Sequence, residues 1–303
     1  MSRWRFIRVT IVCDAPAGVA APERKPVRTG DSDPDAEIPV PLATDPRGRP
    51  WVPGRSLAGS LRAHLGPQAP LLLGSEPQEA GSRADQDSGQ EDDDRDGGRE
   101  PSALRVLGTR VRLPGGMEEP ETRRSTAIDR CRGAARPSTL RAVTRLPVGT
   151  EITAWLRLDE DPELWAVLSE ALSSWQPVIG GGLTRGFGRA HVTDIRHGLL
   201  DLDDPAHLAR WLRSGGPDLA DAVATETLDV QPATDDAART FRWKLAGGLH
   251  VGDGRVRAGG APEVATVMRA DGQLLIPGST WKGLVRSRVE YILSSCGQPC
   301  CFD

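Results

Sequence analysis

The sequence has few aromatic residues and no long apolar run. Phe, Trp and Tyr make up 4% of the 303 residues, and Tyr occurs once. No stretch approaches the roughly 18 apolar residues of a transmembrane helix, and the N terminus, Met1-Ser-Arg-Trp-Arg-Phe6, lacks the apolar core of a signal peptide. Neither a P-loop nor a Ser/His/Asp arrangement is found. We therefore expect a cytoplasmic protein with reduced thiols and no membrane partner.

Negative charge is concentrated in one segment. Between residues 76 and 100, ten residues are acidic and three are basic, a net charge of −7, so the rest of the chain carries +3 of the total of −4. The segment has no aromatic or β-branched residue and cannot bury enough surface to offset its ordering entropy. We expect a disordered acidic insertion near 75–101, tolerated in a surface loop, with a regulatory or RNA-repelling role as the alternative.

Glycine is concentrated in a loop with the sequence Gly180-Gly-Gly-Leu-Thr-Arg-Gly-Phe-Gly-Arg189. Glycines let backbone N–H groups come close to a ligand, and successive N–H groups can form an anion-binding concavity. Arg185 and Arg189 add positive charge, and Phe187 offers a stacking face. The combination suits a phosphodiester backbone with bases attached. The alternative is a tight, exposed turn whose arginines touch only water.

Strand and helix patterns alternate along the first two thirds of the chain. Strands are predicted at 6–12, 103–113, 149–158 and 189–196, and helices at 56–65 and 161–175, with Ser56 and Asp161 as N-caps. Leucines recur every fourth residue on one face of each helix, at 57, 61 and 65 and at 164, 168 and 172. The order β-α-β-β-α-β is the ferredoxin-like arrangement. We predict an α+β fold with a ferredoxin-like domain over residues 1–197, then a short helix and a polar linker over 198–238.

A basic stretch lies between the second and third predicted strands. Residues 123–145 include several turn signals, and only Asp129 opposes their positive charge. The arginines are at positions 123, 124, 130, 132, 136, 141 and 145. A long basic hairpin would grip a nucleic-acid backbone. A solvated loop is the alternative.

The pattern of a turn followed by a helix occurs twice. Residues 48–62 and 272–286 both follow G-x-x-x-[VI]-P-G-x-[ST]-x-x-G-x-[LV]-R without gaps, which is unlike chance similarity. A strand within 240–251 precedes the second copy. We predict that residues 239–303 form the first part of a second domain. Either the chain is a fragment of a longer tandem protein, or something else completes that sheet.

These motifs together resemble the RAMP superfamily (repeat-associated mysterious proteins). The P-G-x-S-L-x-G-x-L-R turn and helix, the downstream G-G-G-x-x-R-G-F-G-R loop and the segment Ile128-Asp-Arg-Cys-Arg-Gly-Ala-Ala135 are similar to the backbone subunits of type III CRISPR effector complexes. The resemblance covers residues 5–196 and the start of a second copy over 241–301. It implies an antiviral protein that lines up along a guide RNA and whose other partners are target single-stranded RNA and further subunits of the complex.

The resemblance also implies RNA-binding residues. Where the family often has Lys after Ser-Leu, this chain has Ala58, whereas the second copy keeps Lys282. The expected RNA-binding residues are Ser56, Arg62, Arg124, Arg130, Arg132, Gly181, Gly182, Arg185, Gly186, Phe187, Arg189, Ser279, Lys282 and Arg286.

Several family members cut the paired target RNA with an aspartate on an irregular loop before the P-G turn. Here Glu37-Ile-Pro-Val40 is similar to the family's D-x-P-V with Glu in place of Asp, and Asp35 is a neighbouring candidate. Either carboxylate would orient or deprotonate the 2′-hydroxyl for in-line attack, with a divalent metal. An endoribonuclease is therefore one hypothesis. An acidic surface loop on a non-catalytic structural subunit is another, and a small-molecule enzyme on the same scaffold is a third.

A cysteine cluster stands near the last residue of the sequence. Cys296, Cys300 and Cys301 are thiolates of the kind that bind structural zinc, and His250 is a conceivable fourth ligand. An unliganded cluster is the alternative.

Overall fold

A computed structural model describes residues 3–21, 40–75, 101–129, 134–135, 139, 141–232, 241–249, 251–252, 269–270 and 273–299. The strands are β1 (Arg3–Cys13), β2 (Leu104–Arg112), β3 (Glu121–Ser125), β4 (Ile128–Asp129), β5 (Ala134–Ala135), β6 (Arg141–Arg145), β7 (Glu151–Asp159), β8 (Ala190–Asp201), β9 (Glu226–Leu228), β10 (Arg269–Ala270) and β11 (Gln273–Leu274). The helices are α1 (Gly54–Leu65), α2 (Ala69–Leu73), α3 (Pro162–Ser174), α4 (Pro205–Arg213), α5 (Gly216–Val223) and α6 (Gly278–Ser295), with 3-10 turns at Gly66–Gln68 and Leu183–Arg185.

The central sheet has the strand order β2-β7-β1-β8-β9. Its neighbouring strands all pair antiparallel. The four long strands and the helices α1 and α3 follow the order β-α-β-β-α-β along the chain. The prediction of an α+β, ferredoxin-like fold is therefore confirmed.

The main core lies between one face of this sheet and helices α1 and α3. Successive side chains of a strand point to opposite faces, and Ile7, Val9 and Ile11 of β1 all face this core. Helix α1 contributes Leu57, Leu61 and Leu65, and α3 contributes Leu168 and Leu172. The leucine spacing that predicted both helices thus marks the side chains that they bury.

Helix α1 begins two residues earlier than the sequence predicted. Pro53 is its N-cap, and the N–H of Ser56 donates to the carbonyl of Pro53 at 2.9 Å. Ser56 is therefore inside the first turn, and the prediction that it caps the helix is wrong. A proline followed by glycine starts this helix without a side-chain cap. The cap prediction for α3 is confirmed, because Asp161 accepts hydrogen bonds from the N–H groups of Glu163 and Leu164.

The opposite face of the sheet carries a second, smaller core. Phe6, Trp155 and Leu200 pack there against Leu219 and Val223 of α5. We predicted one short helix and a polar linker over 198–238, but α4, α5 and β9 all lie in this range. The apolar residues of α5 are too few to stand out in a polar sequence, and their burial against the sheet stabilises the helix.

The second copy of the repeated turn is reproduced in the structure, but its preceding strand is not. Helix α6 has Pro277 as its N-cap, and the N–H of Thr280 donates to the Pro277 carbonyl, as in α1. Residues 241–249 contain no strand. Among the described helices, none combines the length and apolar character that a bilayer span requires.

Candidate nucleic-acid interface

The glycine loop (residues 180–189) joins the end of α3 to β8, and its backbone is tightly constrained. Gly180 has a φ of 77°, and a Cβ there would collide with the carbonyl oxygen of Gly18. Gly182 and Gly186, both in the left-handed conformation, bracket the 3-10 turn Leu183–Arg185. The N–H of Arg185 donates to the Gly182 carbonyl at 2.8 Å. We call residues 182–186 the glycine turn.

The ring of Phe187 lies close to two guanidinium groups. Arg145 of β6 stacks on it with 4.0 Å from Cζ to the ring centroid, and Arg185 lies 5.7 Å from the same centroid. Burial lowers the pKa of Arg145 below its ordinary value, and the like charge of Arg185 lowers it further. The sequence suggested that Phe187 offers a stacking face. In the structure this ring contacts two arginines of like charge, and its role as a stacking face for a base stays a prediction.

The predicted basic hairpin is confirmed, and we call it the basic arm (residues 121–145). Strand β3 pairs antiparallel with β6, and β4 pairs with β5 further out. Arg123 forms an ion pair with Glu121 at 2.8 Å, and Arg124 is exposed. Arg130 and Arg132 lie outside the described residues. Because β6 ends at Arg145, the base of the arm meets the glycine loop.

Helix α1 and the glycine loop share one open groove with a volume of about 590 Å³. Its lining comprises Ser56, Ser60, Ala63, His64, Gln176, Val178, Gly180 and Leu183. The hydroxyl of Ser60 accepts a hydrogen bond from the N–H of Val178 at 2.8 Å and so fixes the helix to the loop. The structure therefore brings the predicted Ser56 and the glycine loop together.

Arg62 lies on a different side of α1. Its guanidinium donates to the carbonyls of Leu73 and Gly74 at 2.8 and 3.0 Å, at the end of α2. Cationic side chains stabilise the unsatisfied carbonyls of a helix C terminus. These two bonds give Arg62 a structural role at the end of α2.

Helix α6 is placed against the glycine turn. The ammonium group of Lys282 donates to the hydroxyl of Thr184 at 3.1 Å. A Cβ on Gly278 would lie 3.0 Å from the carbonyl oxygen of Arg185. Ser279 is exposed, and Arg286 pairs with Glu290 at 2.7 Å. The second copy of the turn and helix thus touches the loop of the first domain, a contact that no local pattern signals.

Four cations of this region have no carboxylate partner among the described residues. Among the described residues, no ion pair involves Arg145, Arg185, Arg189 or Lys282. On the sheet, by contrast, arginines are paired, as in Arg5 with Glu160 at 2.8 Å and Arg112 with Glu151 at 2.7 Å. Unneutralised positive charge is what a polyanion site needs.

The predicted catalytic and metal-binding residues fall mostly outside the described chain. Asp35 and Glu37 do so, although the residues flanking their segment are described. The N–H of Ala21 donates to the Pro41 carbonyl, and Val40 pairs with Val143 of β6. Val40, the first described residue after that segment, therefore lies beside strand β6 of the basic arm.

Of the predicted zinc ligands, Cys296 follows α6 and is exposed. Cys300, Cys301 and His250 lie outside the described residues. Within the described part, no three His, Cys, Asp or Glu side chains are grouped as a metal site would require. The zinc cluster therefore stays a prediction of the sequence.

Comparison with solved structures shows a similarity, whereas comparison of the sequence shows none. No protein-family model and no curated protein matches the sequence. A chain of the structure entitled "Type IV-B CRISPR Complex" is similar to this chain, with a TM-score of 0.39 and 19% sequence identity, over 63% of this chain and 89% of that one.

Proposed function

We propose that this chain is a guide-RNA-binding backbone subunit of a CRISPR effector complex, of type III as its sequence motifs suggest. One observation carries the proposal: the guanidinium groups of Arg145 and Arg185 lie 4.0 and 5.7 Å from the ring centroid of Phe187, where the basic arm meets the glycine loop. Two cations held close together without a carboxylate are stabilised by an anion between or beside them. A phosphodiester backbone supplies such anions at regular spacing.

The site would bind the sugar–phosphate backbone of the RNA. Arg189 is exposed on the glycine loop, and its carbonyl accepts hydrogen bonds from the N–H groups of Asp14 and Ala15, which fix the loop to the end of β1. Ser56 offers a hydroxyl on the adjoining groove. Cations and hydroxyls of this kind contact phosphate and sugar without distinguishing bases. A protein that holds guides of many sequences needs this tolerance.

Target cleavage is the finer part of the proposal. Asp35 or Glu37 would act as general base toward a 2′-hydroxyl, and a divalent metal would neutralise charge on the phosphate. The support is the sequence resemblance together with the position of Val40 beside the basic arm. A structural subunit that cuts nothing is the alternative, and it shares the same RNA site.

The test is RNA binding as a function of salt. We expect the purified protein to carry RNA and to bind a labelled single strand with a log-log salt slope of about −0.7 per neutralised phosphate. The double change Arg145→Gln and Arg185→Gln should flatten the slope and weaken binding by about tenfold or more at low salt. The control is Arg210→Gln with Arg213→Gln on α4, which removes two charges from the opposite face of the sheet. If both doubles behave like the wild type, the glycine loop is not the RNA site.

A further inference from the structure

The contact between the two copies of the turn and helix points to a shared site. From the sequence, Lys282 belongs to the second copy of the motif. In the structure its ammonium group lies 3.1 Å from the hydroxyl of Thr184, on the glycine turn of the first domain. Thr184 is the immediate neighbour of Arg185, which faces Phe187. Three cations from separate parts of the chain therefore converge on one turn.

We infer that the glycine turn and the beginning of α6 form one composite phosphate-binding surface, to which the first domain contributes Arg145 and Arg185 and the second copy contributes Lys282. The inference rests on the proposed RNA-binding function and specifies how that site is built. Its ligand is the sugar–phosphate backbone of a single RNA strand that passes from the base of the basic arm, over the glycine turn, to α6.

The packing of α6 against the glycine turn depends on one glycine. A Cβ on Gly278 would lie 3.0 Å from the Arg185 carbonyl oxygen and 3.5 Å from the Gly186 nitrogen. A larger side chain at this position would push the helix away from the turn. Gly283 lies on the same helix, and a Cβ there would meet no atom within 4 Å. The chain thus provides a matched pair of glycines, one at the contact and one away from it.

Burial of apolar side chains contributes little to the contact between α6 and the glycine turn. Along α6, the apolar residues Leu284, Val285, Val289, Tyr291 and Ile292 are all exposed, between 47% and 62%. The helix therefore gains little stability from burial. Its position depends largely on the contacts of Gly278 and Lys282 with the glycine turn. An RNA strand that binds both Arg185 and Lys282 would stabilise the contact between α6 and the glycine turn. A ligand that binds only the form with this contact shifts the equilibrium toward that form.

The experiment uses the full chain and two measurements. Hydrogen exchange by mass spectrometry, without RNA, measures the protection of residues 182–186 and so reports their contact with α6. Titration with a labelled single-stranded RNA measures affinity. Gly278→Val should increase exchange at the turn and weaken RNA binding about two- to fivefold, the usual range for one exposed charged contact. Gly283→Val should change neither. Lys282→Gln should weaken binding by a similar factor and reduce the salt slope by about 0.7.

A double-mutant cycle decides whether the site is shared. If Arg185 and Lys282 bind the same stretch of backbone, the loss in the double Gln variant should differ from the product of the single losses by at least about twofold. If the losses multiply independently, or Gly278→Val frees the turn without weakening binding, the composite site is wrong while the RNA-binding proposal stands. If the wild type binds no RNA at all, the proposed function fails, and the composite site with it.

Discussion

Arg145 stacks on Phe187 with 4.0 Å from its Cζ to the ring centroid, and this contact joins two segments that are far apart in the sequence. The arginine ends the basic arm, and the phenylalanine belongs to the glycine loop. The ring holds the guanidinium in place by cation–π attraction, which contributes about 0.5–2 kcal/mol. The arm and the loop therefore form one surface.

Replacing Phe187 should weaken RNA binding without removing any charge. In Phe187→Leu the apolar volume is largely kept, but the cation–π contacts with Arg145 and Arg185 are lost, so both guanidinium groups become mobile. We expect a loss of affinity of about two- to tenfold, measured by titration with labelled single-stranded RNA. Phe187→Tyr keeps the ring and serves as the control. Equal binding by the Leu variant would show that the stack does not organise the site.

Gly180 and Gly181 should respond differently to the same substitution. At Gly180 the backbone has a φ of 77°, and a Cβ would collide with the Gly18 carbonyl oxygen. At Gly181 a Cβ would meet nothing within 4 Å. Gly180→Ala should therefore lower the free energy of unfolding by at least about 2 kcal/mol, whereas Gly181→Ala should change it by less than about 0.5 kcal/mol. Urea denaturation of both variants measures this, and similar midpoints would contradict the tight approach of the loop to Gly18.

His197 should make the protein less stable in mild acid. Burial lowers the pKa of its imidazole, Arg5 adds to this effect, and Glu226 and Glu160 oppose it. Its Nδ1 lies 3.3 Å from a guanidinium nitrogen of Arg5, and its ring lies 4.8 Å from that of Trp165. Because the folded state favours the neutral form, its contribution to stability is fully present above the unfolded pKa of about 6.5 and is lost as the pH falls through the lowered folded pKa.

The free energy of unfolding should change with pH by at most about 1.4 kcal/mol per pH unit because of His197, the value for one proton. Denaturant unfolding between pH 7.5 and 5 measures it. His197→Gln should remove this slope and leave the pH dependence of the remaining carboxylates. Parallel curves for the wild type and the variant would show that His197 does not link folding to pH.

Residues 76–100 should be dispensable for folding and RNA binding. The prediction comes from their composition, with a net charge of −7 and no apolar period. A short Gly/Ser linker in their place should change the melting temperature by only a degree or two, because loop closure depends weakly on length. RNA affinity should stay the same or rise, since negative charge is removed. A large loss of stability would show that the segment packs on the domain.

Any target cleavage should depend on Asp35 or Glu37. The substitutions Asp35→Asn and Glu37→Gln are nearly isosteric and remove charge and basicity. Loss of the general base should slow cleavage by roughly 10²–10⁴-fold and spare guide binding. The measurement is cleavage of a labelled complementary RNA by the assembled complex with a divalent metal, and each single variant is the control for the other. Full activity of the double variant would exclude both residues.

Local patterns in the sequence determined the elements of the first domain. The leucines at 57, 61 and 65 predicted α1, and Asp161 predicted the start of α3, because helix periodicity and capping depend on residues within one or two turns. The repeated P-G turn likewise predicted the start of α6. These features involve neighbours in the chain, so the sequence carries them directly.

Contacts between distant segments were decided only by the tertiary structure. Arg145 was one of seven arginines in a basic stretch, and nothing nearby in the sequence distinguishes it from the others. Its stack on Phe187 depends on the bridges from Ala17 to Leu146 and from Gly18 to Gly180, which place the end of β6 beside the glycine loop. Arg62 matched an RNA-binding motif, yet its guanidinium binds the end of α2. A side chain's chemistry is local, but its partner is set by how strands and helices pack, and that decided which cations remain available to an anion.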